Sequence, residues 1–181
     1  MPRLVLPTYK VIRDTREQKG YGWIFDPHVP DRRPPRCEGT VVETLRTGDY
    51  SLVGYTDILA IERKHGFSEL WINYGKNKRK AFEEEMERMS KIKHSYVIIE
   101  SSLTSDVLEL SPPQFTKGVP GKSLIRWLMN LSIKYDVHFI PAGECGKKVA
   151  QMIFEEVIRT EKNRWVHQEQ KNLSGGDYIG C

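Results

Sequence analysis

Hydrophobic residues occur in short runs along the first third of the chain, and glycines and polar residues separate these runs. Runs of about four to eight residues with β-branched or aromatic centres predict strands. We therefore predict strands at Tyr9–Asp14, Thr40–Leu45, Tyr50–Val53 and Asp57–Lys64. A later run, Ser95–Glu100, is almost continuously apolar, which is typical of a central strand covered on both faces. A short strand is predicted at Val137–Ile140.

Three later segments have the spacing of amphipathic helices. In Arg79–Lys93, charged residues separate the apolar positions Ala81, Phe82, Met86 and Met89. Ser123–Tyr135 carries two apolar stripes, formed by Leu124, Trp127, Leu128 and Leu131 and by Ile125, Met129 and Ile133. Two stripes indicate two packing partners. A closing amphipathic helix is predicted at Lys147–Thr160.

This order of strands and helices predicts an α/β fold, in which a mixed sheet is flanked by helices. The length of 181 residues fits a single domain. We place this domain at residues 1–165 and a polar tail at residues 166–181. Prolines and arginines crowd residues 26–36, so we interpret that stretch as an exposed, mobile loop inserted into the domain.

Composition narrows the class of protein. Apolar residues are 39% and charged residues 29% of the chain, as in ordinary globular proteins. The longest apolar runs fall well short of the roughly 20 residues that span a bilayer, and no secretion signal is visible, so we expect a cytoplasmic protein. Cys37, Cys145 and Cys181 are odd in number and far apart, which argues against disulfides and a cysteine zinc site. The net charge of +4 permits a polyanionic partner.

Charged residues of catalytic type stand near the ends of the predicted strands. Side chains alternate along a strand, so Glu62 and Lys64 share one face while Arg63 points to the other. Asp49 lies on a turn, and a short hairpin brings its carboxylate beside Glu62. Two converging carboxylates suit Mg²⁺ or Mn²⁺. Such an ion polarises phosphate oxygens and activates water, so the group predicts phosphodiester hydrolysis.

Four motifs follow one another along the chain: Asp-x-Arg-Glu at 14–17, Gly-Asp-Tyr-Ser-Leu at 48–52, Ala-Ile-Glu-Arg-Lys at 60–64 and Tyr-Val-Ile-Ile-Glu at 96–100. Together they resemble the XPF family of structure-specific nucleases over residues 9–160. The resemblance implies a restriction-endonuclease-like fold. It also implies a divalent-metal-dependent endonuclease that cuts branched, flap or junction DNA.

The same resemblance gives the motif residues their expected roles. Asp49 and Glu62 are implied as ligands of Mg²⁺, with Mn²⁺ as a substitute, and Lys64 is implied as the catalytic lysine. Arg63 matches the motif arginine. Residues 14–17 match the family's first acidic motif, which borders the metal and the scissile phosphate. The resemblance therefore implies Arg16 and Glu17 as further catalytic residues, and Asp14 and Glu17 as further candidate metal ligands.

The chain departs from the family pattern in two respects. The family usually has an Asp four residues after the motif lysine, where this chain has Ser68; with one residue inserted, Glu69 takes the place of that Asp. Family members also commonly carry tandem helix-hairpin-helix modules after the nuclease domain, and this chain ends first. We therefore expect basic loops of the nuclease domain to bind DNA. We also expect the protein to be located in the cytoplasm of a bacterium or of a phage-infected host.

Basic and aromatic residues outside the motifs are candidate DNA contacts. The predicted phosphate contacts are Arg32, Arg33, Arg36, Lys76, Lys78, Arg79 and Lys80. Trp71 and Tyr74 are candidates for stacking on unpaired bases. Because family nuclease domains pair through their closing helices, we also expect a homodimer formed by residues 123–135 and 147–160.

Two other functions are compatible with this sequence. The first is a nuclease-fold DNA-binding subunit that has lost catalysis and supports an active partner; the retention of Asp49, Glu62 and Lys64 counts against it. The second is a protein-interaction module that uses the acidic helix Arg79–Lys93 as its surface. Taken singly, each charged motif is also compatible with an ordinary turn or a solvated strand end.

Overall fold

The computed structural model of the chain describes residues 8–17, 20, 22–28, 35–104, 107–108 and 120–161, with the backbone alone at Lys76. The main elements are β1 (Tyr9–Asp14), β2 (Cys37–Glu43), β3 (Tyr50–Leu52), β4 (Leu59–Lys64), α1 (Phe67–Tyr74), α2 (Lys76–Met89), β5 (His94–Ile99), α3 (Gly121–Tyr135), β6 (His138–Pro141) and α4 (Gly146–Thr160). A 3₁₀ turn at Gly143–Cys145 leads into α4.

The strands form one mixed sheet in the order β2-β1-β3-β4-β5-β6. β1 and β2 are parallel, β3 is antiparallel to both β1 and β4, and β4, β5 and β6 are parallel to one another. β1 and β4 therefore run in the same direction. As a result, β1, β4 and β5 end, and β3 begins, at one edge of the sheet. The predicted α/β class with a mixed sheet is confirmed.

Most strand boundaries agree with the sequence pattern. β1 has the predicted bounds, and β3 to β6 begin and end within two residues of theirs. β2 begins earlier, at Cys37, where the prediction began at Thr40. Gly39 has a φ of +111°, and the β1–β2 register shifts between Tyr9 and Val11. This irregularity breaks the alternation that would have revealed the first residues of the strand.

The helices before β5 differ more from the prediction. Helix α1 was not predicted, because its eight residues lie between Gly66 and Gly75 and are too few for a clear periodicity. The next helix runs over Lys76–Met89, whereas we predicted Arg79–Lys93. Its first residues are polar and carry no apolar pattern. At the other end, the Ser90 N–H bonds to the Met86 carbonyl, and a turn leads into β5.

Helices cover both faces of the sheet. On one face, α4 packs Ala150, Phe154, Val157 and Ile158 against residues of β1, β3, β4 and β5. On the other face, α1, α2 and α3 enclose a second core that includes Leu70, Met86, Met89, Leu124 and Leu131. Within the described ranges, none of the helices has the length and apolar character needed to cross a membrane.

The two predicted stripes of α3 have different environments. Leu124, Trp127, Leu128 and Leu131 are buried, as a core-facing stripe requires. Ile125 of the second stripe is also buried, whereas Met129 and Ile133 are 58% and 86% exposed. The second partner predicted for this helix is therefore absent from the described part of this chain.

The structure describes part of the predicted loop insertion and none of the predicted tail. Residues 29–34 of the insertion and residues 166–181 of the tail lie outside the described residues. The ends of the insertion are tied together, because the His28 N–H donates to the Cys37 carbonyl at 2.9 Å and the Cys37 N–H donates to His28 Nδ1 at 3.1 Å.

Candidate active site

The motif residues meet at the edge of the sheet where β1, β4 and β5 end and β3 begins. Asp14 is the last residue of β1, Lys64 is the last residue of β4, and Asp49 directly precedes β3. The Asp14 N–H donates to the Asp49 carbonyl at 2.8 Å, and the Asp49 N–H donates to the Ile61 carbonyl at 2.8 Å. Motifs that are far apart in the sequence thus lie side by side.

A buried ion pair joins Glu62 and Lys64. Lys64 Nζ lies 2.6 Å from Glu62 Oε1, and both side chains are buried. Ala60 packs with α1 and α2, so Glu62 and Lys64, which follow it at intervals of two along β4, lie on that face as well. The Phe82 ring of α2 is 5.3 Å from Lys64 Nζ. The two motif residues therefore share one pocket, as the alternation predicts.

Lys64 stays positively charged in this pocket. Burial lowers the pKa of the Lys64 ammonium, but the carboxylates of Glu62, Glu85 and Glu69 outweigh burial and raise that pKa above its ordinary value. Burial raises the pKa of Glu62, and Lys64 opposes this rise. A protonated lysine suits the neutralisation of phosphate charge and the orientation of a water molecule, and it is unsuited to accepting a proton.

Asp49 supplies a second carboxylate to the site. Its Oδ2 accepts the Arg63 backbone N–H at 2.8 Å. Gly48 before it has a φ of +78°, and a Cβ there would lie 3.1 Å from the Ile61 carbonyl oxygen, so the turn that presents Asp49 requires glycine. Burial and the nearby charge of Glu62 raise the pKa of Asp49 to about 8. The two carboxylates therefore repel each other.

These two carboxylates fit a divalent cation. A cation between Asp49 and Glu62 would remove their repulsion. Over the part of the chain that the structure describes, no group of three or more His, Cys, Asp or Glu side chains is arranged to hold a metal. Mg²⁺ commonly binds through one or two carboxylates and keeps several waters, so a third protein ligand is not required. The oxygen donors present suit Mg²⁺ or Mn²⁺ and do not suit a zinc site.

Both carboxylate oxygens of Asp14 accept hydrogen bonds from neighbouring loop residues. Its Oδ1 accepts hydrogen bonds from Arg16 N and Nε, and its Oδ2 accepts the Leu45 N–H at 2.6 Å. Burial raises the pKa of Asp14, but these bonds outweigh burial and lower that pKa overall. This favours a structural role over the predicted place among the metal ligands. The Arg16 side chain remains 67% exposed; its hydrogen bond to Asp14 raises its pKa most, and the charges of Asp49 and Glu62 add smaller contributions in the same direction.

Arg63 and Glu17 lie on the opposite face of β4, beside α4. Arg63 Nη1 donates to Glu17 Oε1 at 2.7 Å, and Arg63 Nη2 donates to Glu100 Oε2 at 2.5 Å. Tyr50 Oη also donates to Glu17 Oε1, at 3.3 Å. The structure therefore separates the predicted catalytic residues into a Glu62–Lys64 pocket and an Arg63–Glu17 pair, with Asp49 between them.

Two charged residues near the site were missed by the sequence reasoning. Glu85 lies on α2, three residues after Phe82 and therefore on the same helix face, and its charge adds to the effect of burial in raising the pKa of Glu62. Glu100 binds Arg63 from the end of β5. The available signal for Glu100 was its place as the last residue of Tyr-Val-Ile-Ile-Glu. Glu85 lay within a run of glutamates that we interpreted as solvated.

A family comparison agrees with this geometry. The sequence model of the ERCC4 domain matches residues 13–145, which is more than half of the chain. The chain belongs to the ERCC4 domain family. No curated protein sequence gives a significant match. Family membership confirms the resemblance to XPF-type nuclease domains and supports a nuclease that acts on DNA.

One solved structure shows the same fold as this ERCC4 domain. XPF from Aeropyrum pernix matches with a TM-score of 0.51 and 17% identity, over 95% of this chain and 65% of that chain. XPF from Aeropyrum pernix in complex with DNA has a TM-score of 0.49 and 18% identity, over 86% of this chain and 66% of that chain. The ERCC4 domain chain thus spans about two thirds of these XPF chains. The restriction-endonuclease-like fold is confirmed.

Of the two residues considered as the substitute for the family Asp, Glu69 is the one that contacts Lys64. Glu69 Oε1 lies 3.4 Å from Lys64 Nζ, and Glu69 Oε2 accepts the His65 N–H at 3.0 Å, whereas Ser68 is exposed. We expect Glu69→Ala to slow DNA cleavage about tenfold, because Lys64 loses one of its anchors, and Ser68→Ala to leave the rate unchanged. Single-turnover rates measure both, and the reverse pattern would refute the inserted-residue alignment.

The predicted DNA contacts of the ERCC4 domain occupy different environments. Trp71 is 5% exposed in the core between α1 and α2, so its predicted stacking on bases is wrong for this conformation. Arg79 bonds Glu83 and lies over the rings of Tyr74 and Trp127, which joins α2 to α3. Tyr74 is thereby half-buried.

The remaining predicted contacts lie on the surface or outside the described residues. Lys78 and Lys80 are exposed near the start of α2. Arg36 is the last residue of the loop insertion, and its carbonyl accepts the Tyr9 N–H. Arg32 and Arg33 lie outside the described residues, as does the Lys76 side chain. Arg79 is 46% exposed but bonded to Glu83, so Lys78 and Lys80 are the exposed predicted phosphate contacts of α2 that are not tied to α3.

Proposed function

We propose that this ERCC4 domain is a divalent-metal-dependent endonuclease that hydrolyses phosphodiester bonds in branched, flap or junction DNA. The observation that carries the proposal is the convergence of Asp49 and Glu62 at one strand edge, with Lys64 Nζ 2.6 Å from Glu62 Oε1. Two carboxylates and a lysine on adjacent strands are what metal-assisted phosphodiester hydrolysis needs. Mg²⁺ is the proposed cofactor, with Mn²⁺ as a substitute.

Each residue has a distinct task in this reaction. Asp49 and Glu62 would hold the ion, which when bound polarises the phosphate and lowers the pKa of coordinated water. Lys64, held as an ammonium, neutralises charge on the scissile phosphate or orients the attacking water. Arg16 is exposed beside these carboxylates and can contact a neighbouring phosphate. Burial of Glu62 and Lys64 limits competing water and strengthens their electrostatic effects.

A panel of DNA structures tests this proposal. Flap, fork, junction and linear duplex DNAs of equal length are incubated with the protein in Mg²⁺, Mn²⁺, Ca²⁺ or EDTA. We expect cleavage with Mg²⁺ or Mn²⁺, none in EDTA, and preference for the branched substrates. Binding without cleavage under all metal conditions would replace the endonuclease with the inactive DNA-binding subunit as the function.

We propose that the basic start of α2 contributes to DNA affinity. Replacing Lys78 and Lys80 together by Glu should weaken binding to all DNA substrates by a similar factor and flatten the salt dependence, because phosphate contacts release counterions. Dissociation constants in Ca²⁺ at several salt concentrations measure this. The matched control reverses Lys91 and Lys93, in the turn that follows α2. Equal losses in the two double variants would show a nonspecific charge effect.

We also propose a homodimer in which α3 and α4 contact the partner. The two helices cover opposite faces of the sheet, in which β6 is an edge strand, and Met129, Ile133 and Met152 are exposed on them. Light scattering should give about twice 21.0 kDa at micromolar concentration, and Met129→Glu with Ile133→Glu should return it to 21.0 kDa. Ile72→Glu, an equally polar change at an exposed site of α1, is the control. A monomeric wild-type protein would contradict this part of the proposal.

A further inference from the structure

Glu100 accepts hydrogen bonds from two side chains in different parts of the chain, and His65 Nδ1 lies 3.5 Å from its Oε2. It follows β5, and its Oε1 accepts the Trp23 Nε1–H at 2.8 Å, while its Oε2 accepts Arg63 Nη2 at 2.5 Å. The Arg63 guanidinium lies 5.4 Å from the Trp23 ring. Trp23 in turn stacks on Tyr50, with ring centroids 5.0 Å apart. One carboxylate thus joins β5, β4 and the segment after β1.

The first residue of helix α4 packs against the Glu100 side chain. A Cβ at Gly146, the first residue of α4, would lie 3.0 Å from Glu100 Cγ and 2.9 Å from Trp23 Cζ2. The helix start can approach so closely only because residue 146 has no side chain. Glu100 is therefore held by packing as well as by its two hydrogen bonds, and its side chain has little freedom to choose another position.

Arg63 connects Glu100 to the candidate catalytic residues. Its second guanidinium nitrogen donates to Glu17, and its backbone N–H donates to Asp49 Oδ2. The Arg63 side chain is 10% exposed and has a carboxylate on each side. Both terminal nitrogens of the Arg63 guanidinium are thus engaged in short charge-assisted hydrogen bonds to carboxylates of the same chain. Arg63 is consequently placed to fix Asp49 and Glu17 and is poorly placed to reach a DNA phosphate.

We propose that Glu100 is a positioning residue for the candidate nuclease site. It acts through Arg63, which holds the Asp49 carboxylate by its backbone and the Glu17 carboxylate by its side chain. Glu100 itself touches neither DNA nor metal. The catalytic consequence rests on the proposed endonuclease function, whereas the effect on the order of the site can be measured without cleavage.

The activity test uses Glu100→Gln, which keeps an oxygen acceptor for Trp23 and removes the charge that holds Arg63. We expect kcat to fall on the order of 100-fold, with an unchanged dissociation constant for DNA in Ca²⁺, because a small displacement of reacting groups affects chemistry more than binding. Arg63→Lys should cause a similar loss, and the double variant should lose no more than either single variant. Additive losses, or a kcat within twofold of wild type, would overturn the proposal.

The control is Glu161→Gln. Like Glu100, Glu161 joins β5 and α4, but it lies where β5 begins and α4 ends. Glu161 follows α4 and bonds Lys93 Nζ at 2.6 Å and His94 Nε2 at 2.8 Å, where β5 begins. We expect this variant to lose stability and keep its kcat. A loss of kcat equal to that of Glu100→Gln would mean that both effects are general destabilisation, and the positioning role would be wrong.

Hydrogen exchange tests the proposal in the free protein. In Glu100→Gln, amide exchange should speed up in residues 13–25 and 60–64, which contain Glu17, Trp23 and Arg63. Trp23→Phe, which removes one donor to Glu100, should produce the same pattern more weakly. Glu161→Gln should instead affect the residues around 94 and 161. Unchanged exchange at residues 13–25 would overturn the inference even if the wild-type protein cuts DNA. Failure of the wild type to cut DNA would refute the proposed function alone.

Discussion

Glu62→Gln, Asp49→Asn and Lys64→Ala should each reduce the single-turnover rate of DNA cleavage on the order of 1,000-fold or more. The first two variants remove an anionic oxygen from the candidate metal site, and the third removes the cation that lies 2.6 Å from Glu62 Oε1. None of them removes a large apolar side chain from the core. Rates are measured with saturating protein and Mg²⁺ on the branched substrate that the wild-type protein cuts best.

The interpretation of these rates depends on intact folding. Circular dichroism spectra of the three variants should match the wild type, and DNA binding in Ca²⁺ should persist. Lys93→Ala is the matched control for Lys64→Ala, because it breaks a lysine–glutamate pair of the same 2.6 Å length at the other end of β5. If any one active-site variant cleaves at a near-wild-type rate while folded, the role assigned to that residue is wrong.

Asp49→Asn should stabilise the metal-free protein at pH 8. The pKa of Asp49 is raised to about 8 in the folded state, whereas an unfolded aspartate titrates near about 3.9. Between these values the folded protein binds the extra proton, so its free energy of unfolding falls as pH rises from about 4 to 8. The loss is at most about 1.4 kcal/mol per pH unit, and partial solvent contact reduces it. Asparagine cannot ionise, which removes this loss.

Urea unfolding in EDTA at pH 5 and at pH 8 measures the effect. The difference in unfolding free energy between Asp49→Asn and wild type should be larger at pH 8 than at pH 5, in favour of the variant. Adding Mg²⁺ at pH 8 should stabilise the wild type and have less effect on the variant, because a ligand stabilises the state that binds it. A pH-independent difference between the two proteins would contradict the proposed repulsion between Asp49 and Glu62.

Local patterns predicted the sheet and the central pair of the site. The period of two along a strand suffices to place Glu62 and Lys64 on one face and Arg63 on the other, and β4 has this arrangement. The approach of Asp49 to Glu62 followed from a short turn before an antiparallel strand. Such features depend on neighbours in sequence or on adjacent strands, so a single chain carries enough information to predict them.

Features that depend on packing between distant segments were not predictable. Trp71 was predicted to be available for stacking because no helix was predicted at its position; in the fold it belongs to α1 and is buried in the core shared with α2 and α3. Asp14 carries a motif carboxylate, yet both of its oxygens bind the chain at Arg16 and Leu45. The charge of Glu85 affects Glu62 because α2 and β4 share one core, in which Ala60 packs with Phe82 and Met86. None of these contacts is encoded by periodicity.

The division of β4 between two faces limits how this protein can change by insertion or deletion. Ala60, Glu62 and Lys64 face α1 and α2, while Ile61 and Arg63 face α4. Losing or gaining one residue in β4 before Glu62 would exchange the two faces of the strand for all later residues. The Arg63 guanidinium would then point toward Phe82, and the Glu62 carboxylate would point toward Trp23. The fold can therefore tolerate insertions and deletions in the turns on either side of β4. Within β4 itself it can tolerate only substitutions.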